Sequence, residues 1–247
     1  MRADALWQEV VKIRRRRAMF WCAVGVPAGL VVLVLVVDAV LKGARPASYI
    51  GGADLLDRMP GAATFGGVIM AVLLGAQTGA YDVQQGTFRY LAMTGRPRLG
   101  LYLARLPALL GVVLAVLVPP IVIAAVAAQA MPLDGDAAAG LSDHALAVWS
   151  PIVQSWVYAL VSRGSGALLR SVGVAIAVAL VLNLAALPVL SLVNEVSRTA
   201  GDLTLPLAVQ RLVEDTGRPL ALAAVVVVVW CLAFVAVGAL RTVRAEY

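Results

Sequence analysis

Six apolar stretches, each close to the length of a bilayer crossing, limit what this chain can fold into. They are Ala18–Leu41, Gly61–Ala80, Leu101–Ala128, Ala145–Val161, Val172–Val193 and Leu220–Leu240. A helix needs about 20 mostly apolar residues to cross about 30 Å of hydrocarbon. Of the 247 residues, 62% are apolar and 14% charged, with a mean hydropathy of +0.91. Soluble domains sit near 45–50% apolar and 25% charged, so the polar surface is too small for a water-soluble globule. The same numbers exclude disorder, collagen and a disulfide scaffold. Runs such as Val225–Val229 lack the alternation of barrel strands. The expected fold is an all-α integral membrane protein with six transmembrane helices, and residues 1–247 read as a single transmembrane domain.

Charge placement predicts the orientation. With a cytoplasmic N-terminus, 14 of the 20 Lys and Arg residues fall in inner segments, including Arg14–Arg17, Arg89, Arg96, Arg98, Arg105, Arg163 and Arg170. The six outer ones are Lys42, Arg45, Arg58, Arg198, Arg211 and Arg218. This obeys the positive-inside rule with both termini cytoplasmic. The net charge of +6 then reads as orientation. No soluble basic face exists for nucleic acid, so none is expected as a partner. Cys22 and Cys231 lie in different spans at different depths, which argues against a disulfide. The basic start lacks a clean cleavage site, so the first span is expected to stay in the mature protein.

Before the first span, Leu6, Val10 and Ile13 recur at helical spacing beside Trp7, with Asp4, Gln8, Glu9 and Lys12 filling much of the other side. This predicts a short amphipathic helix on the cytoplasmic interface, an elbow over residues 1–17 in contact with membrane lipids. In the second span, Ala63, Gly67, Ala71, Gly75 and Gly79 form a stripe of small residues that lets another helix approach closely. Gly25 and Gly29 repeat the spacing in the first span. Intrasubunit packing is the plainer use of such a stripe, and a dimer seam the other. No Lys, Arg, Asp or Glu is expected deep in a span, which argues against a proton relay. Pro119-Pro120 predicts a kink in the third span.

The segment Tyr81–Arg105 is the most patterned part between spans. Gly86 permits a bend; Phe88, Leu91 and Ala92 form a short apolar face; Gly95 and Pro97 break the helix between Arg96 and Arg98. A short helix bounded by breakers suits insertion into a partner's groove. Its plainer use is an interfacial helix carrying positive-inside arginines. On the other side, within 194–218, Leu205, Val209, Leu212 and Val213 predict a short amphipathic helix before the last span.

Several chemistries lack their residues. A phosphate loop needs G-x-x-x-x-G-K-[ST], but Lys12 and Lys42 follow Val11 and Leu41. A metal site needs clustered ligands, and the one histidine, His144, has only Asp143 beside it. Gly164-Ser165-Gly166 imitates a serine hydrolase motif, yet Ser165 is expected at the inner surface and His144 on the outside. No catalytic residue and no metal site is expected.

The stretch from the second to the third span resembles the permeases of the ABC-2 type exporter family, above all actinobacterial members. Asp82, Gly86, Thr87, Arg89, Gly95 and Arg98 carry the likeness, with Arg105 where a basic residue is common. Asp82 stands where Glu is more usual, and the close match covers about 25 residues. The six-span layout, the amphipathic start and the helix before the last span are also similar. The resemblance implies two permease copies, a homodimer or a close paralogue pair, each docking an ABC ATPase subunit. ATP and Mg would be held by that partner, leaving no cofactor on this chain. The coupling loop would lie within 81–100 and use Asp82, Gln85, Gly86, Thr87, Arg89, Arg96 and Arg98. Gln77, Thr78 and Asn183 would be candidates for lining the pathway, with Gly67, Ala71, Gly75 and Gly79 packing helices. The implied cargo is amphipathic or lipid-like, a drug, peptide or natural product, crossing a bacterial cytoplasmic membrane. A six-helix assembly or immunity factor without transport is the alternative.

Overall fold

The computed structural model describes residues 17–44, 52–81, 84, 98–130, 141–185, 202–213 and 220–244. The N-terminal elbow and loop residues Asp82, Gln85, Gly86, Thr87, Arg89 and Arg96 lie outside the described residues. Among the described residues the chain is helical, with no strand. The α-helices are α1 (Arg17–Ala44), α2 (Gly52–Ala76), α3 (Arg98–Ala104), α4 (Leu106–Ala130), α5 (Leu141–Leu169), α6 (Val172–Leu180), α7 (Leu205–Val213) and α8 (Leu220–Arg244). Two π-helical turns, Gln77–Tyr81 and Val181–Ala185, extend α2 and α6.

Four helical stretches are long and apolar enough to cross a membrane: Met19–Leu41, Pro60–Tyr81, Leu99–Ala130 and Leu220–Arg244. The fifth expected span is represented by the shorter apolar stretch Val172–Leu184. The expected fourth span, Ala145–Val161, is part of the longer α5, which runs on through Arg163 to Leu169. Ser150, Gln154, Ser155, Ser162 and Arg163 dilute its apolar character. α4 runs unbroken through Pro119 and Pro120. A break in the helix falls at Arg105, two residues before Pro107. Proline at 107 has no N–H to offer the carbonyl four residues back, so the ladder fails there. α4 resumes with the Leu109 N–H donating to the Arg105 carbonyl at 3.0 Å.

The described residues fall into two compact units. In the unit drawn from 11–70 and 112–155, Val31, Ala63 and Ala124 form a buried apolar cluster. There Gly66 lies so close to Pro27 that a Cβ would stand 2.7 Å from the Pro27 Cα. Gly67 faces Leu117 and Ser155. Gly25 and Gly29, by contrast, face open space. Asp38 is also buried, with one carboxylate oxygen that has no hydrogen-bond partner among the described residues.

In the unit drawn from 71–111 and 156–247, Tyr102, Ala167 and Ala239 cluster with Val235. α8 packs on α3 and α7, and α6 packs on the first π turn. α7 buries Leu205–Val209. The Trp230 indole N–H donates to the Leu203 carbonyl at 3.0 Å, and Arg211 pairs with Asp202. The corner between α5 and α6 turns through Arg170, which takes the left-handed φ of 54°, a conformation L-residues adopt at a cost. Ser171 then caps α6, its hydroxyl oxygen accepting from the Val174 N–H.

Candidate functional site

The described candidates other than Gly67 fall in the second of these units. Thr78 sits in the first π turn, and its hydroxyl donates to the Gly75 carbonyl at 3.0 Å. Gln77 precedes it, half-buried. Asn183 lies in the second π turn, half-buried. All three sequence candidates for a pathway therefore stand on π-helical turns. Such turns are rare and recur at functional sites because the wider turn frees backbone groups and re-aims side chains. A 3.6-residue period carries no sign of them. α6 links the two, since it packs on the first and leads directly into the second.

The small-residue stripe continues into this unit as a seam. Ala71 is 1% exposed. A Cβ on Gly75 would strike the Ala159 carbonyl, and one on Gly79 the Arg163 carbonyl. Ser162 reinforces the contact, its hydroxyl donating to the Val72 carbonyl at 2.7 Å. Small residues at this spacing let the backbones of α2 and α5 approach until only glycine fits.

The seam ends at Arg163, which departs most from the sequence reading. Expected on the inner surface, it is fully buried, the largest side chain to be so among the described residues. One terminal guanidinium nitrogen donates to the Tyr102 carbonyl at 2.5 Å. The guanidinium also lies over the Tyr102 ring, 4.5 Å from its centroid. Arginine suits this position because its flat, weakly hydrated cation stacks on an aromatic face while still donating sideways. The next three residues explain the motif that imitated a hydrolase. Gly164 lets α5 meet the Phe234 backbone of α8, and Gly166 lies against Ala76, Ala80 and Ala175. Ser165, 2% exposed, donates back to the carbonyls of its own helix at Val161 and Ser162. A serine so occupied in a helix interior is no nucleophile.

Comparisons with protein-family models, curated proteins and solved structures return no match to this chain. The chemistry available must therefore be read from its own residues. Among the described residues no three His, Cys, Asp or Glu side chains gather as metal ligands. Cys22 and Cys231 are free thiols. The other unit holds an apolar hollow between Pro60, Ala63, Ile121, Ala124 and Val148. With almost no polar wall it offers a substrate no orienting group. Of the loop residues, only Arg98 is described, as the first residue of α3. What the site can do is hold helices in register and hydrogen-bond through Gln77, Thr78 and Asn183.

Proposed function

We propose that the chain is the transmembrane permease subunit of an ABC exporter of the ABC-2 type. Two copies would form the pathway, and a separate ATPase would supply the energy. The observation that carries this is the segment between the second and third apolar helices, where Asp82, Gly86, Thr87, Arg89, Gly95 and Arg98 keep the family's order. Two further features support it. The lysines stand in no phosphate loop, so hydrolysis belongs on another chain. Gly79 and Tyr102, on the two helices that flank the segment, both pack against Arg163 of α5, so a displacement of the segment has a helix to act on. On this reading the chain spans a bacterial cytoplasmic membrane six times with both termini inside. Its mostly apolar interior suits an amphipathic or lipid-like cargo.

The test is affinity purification of the full chain from its native membrane. An ATPase subunit should copurify, and the complex should hydrolyse ATP. Arg89→Ala should abolish most of that hydrolysis while leaving the membrane level of the chain unchanged. Purification of the chain alone, active in no ATPase assay, would instead favour an assembly factor without transport.

A further inference from the structure

A fully buried arginine in a chain this apolar calls for a physical reason. Removing a guanidinium from water costs several kcal/mol, and ionisable groups inside membrane proteins mark functional positions far more often than structural accidents. Arg163 is such a group.

The backbone supplies the reason. α3 spans Arg98–Ala104 and ends where Arg105 breaks the helix ahead of Pro107. The last four carbonyls of a helix have no partner within it, and Tyr102 is among them. Its carbonyl is buried with the rest of the residue, which is 4% exposed. Water cannot readily serve it, and the guanidinium of Arg163 does. The same cation rests on the Tyr102 ring, so one side chain holds both the backbone and the side chain of a helix end. On the opposite side of the segment 82–97, the last turn before it is also fixed to this residue. Gly79 lies against the Arg163 carbonyl with no room for a Cβ. The two roots of the segment thus meet at one residue of α5, one through its main chain and one through its side chain. Gly238 and Phe234 of α8 close around the same place, against the Tyr102 hydroxyl and Gly164.

We infer that Arg163 is a positioning residue: it serves as the joint that holds α3 against α5, so that both roots of the segment 82–97 move as one body with α5. The inference rests on the permease reading only for what the joint transmits, namely the displacement received by that segment. The joint itself follows from the contacts alone.

The experiment uses the full chain in lipid nanodiscs, with Cys22→Ala and Cys231→Ala and spin labels at Leu99→Cys on α3 and Leu169→Cys on α5. Both positions are exposed. The wild-type joint should give one narrow distance distribution. Arg163→Gln should broaden it roughly twofold, as a helix end without its partner opens locally. Arg163→Lys keeps the charge without the flat fork, so it should broaden the distribution too. It also serves if the glutamine variant fails to fold. Adding Pro107→Ala to the Arg163 variant should narrow the distribution again. A restored N–H at 107 serves the Leu103 carbonyl, and the helix that then runs through 105 brings the Leu106 N–H onto the Tyr102 carbonyl. An unchanged width in the Arg163 variants overturns the proposal. So does broadening that Pro107→Ala leaves in place, because Arg163 would then be filling space rather than serving a carbonyl. No ATPase takes part in the measurement. Failure of an ATPase to copurify would remove the permease reading, while the distances still decide the joint.

Discussion

Gly75 and Gly111 are both helical glycines in apolar surroundings, yet substitution at them has opposite consequences. A methyl at Gly75 meets the Ala159 carbonyl and, behind it, the Ala159 Cα at 3.2 Å, so the obstacle is backbone that cannot rotate aside. A methyl at Gly111 meets nothing within 4 Å. Gly75→Ala should therefore cost about 2 kcal/mol through forced separation of α2 and α5. Gly111→Ala should gain about 0.5–1 kcal/mol from helix propensity. Thermal unfolding in detergent measures both, and melting shifts of the same sign would refute the packing argument. The stripe was visible in the sequence as a four-residue repeat. Its members are nonetheless unequal, because the repeat says which residues share a face and nothing about what lies opposite. Gly25 and Gly29 have the same spacing and face open space.

At the scale of elements, what could be read in advance was length and polarity. The apolar runs that became α1, α4 and α8 declare themselves because no other structure satisfies so much backbone without water. α7 was also legible, from Leu205, Val209, Leu212 and Val213 at helical spacing. Its hold on α8 was not. That hold uses the Trp230 indole on the Leu203 carbonyl, 27 residues away, and no local pattern marks such a partner. Trp230→Phe keeps most of the ring and removes the donor. It should cost about 1 kcal/mol and speed amide exchange across 202–213 while leaving α4 unchanged. Uniform exchange in both elements would remove the indole's specific role. Arg163 was misread for a related reason. An arginine just past an apolar run looks like an inner-surface charge under the positive-inside rule, which counts residues and ignores burial. The available hint was the pair Gly164 and Gly166, which strip α5 of side chains where other helices must come close. The residues Asp82–Arg98 proposed for coupling stand on sequence pattern alone.

Across the whole molecule the unequal distribution of charge makes a directional claim. If 14 of 20 basic residues mark the cytoplasmic side, the segment after α2 and the helix α7 must lie on opposite faces of the membrane. The segment offers one exposed described position, Gln84, and Leu203 is exposed just ahead of α7. The background removes the free thiols Cys22 and Cys231 as alanines. Gln84→Cys should then react with a membrane-impermeant maleimide only in inverted vesicles, and Leu203→Cys only in intact cells. The two positions are separated by α4, α5 and the Val172–Leu184 helix. An odd number of crossings between them puts them on opposite sides, and an even number puts them together. Labelling on opposite sides thus requires all three helices to cross, or one alone. Cysteines at Ala145, exposed near the start of α5, and at Leu169, exposed at its end, separate those cases: Ala145 reacting on the Leu203 side and Leu169 on the Gln84 side means that all three helices cross, whereas both reacting on the Leu203 side means that α4 crosses alone. Reactivity of Gln84 and Leu203 on one face would show that at most two of the three helices cross. It would also remove the six-span layout on which the permease reading depends.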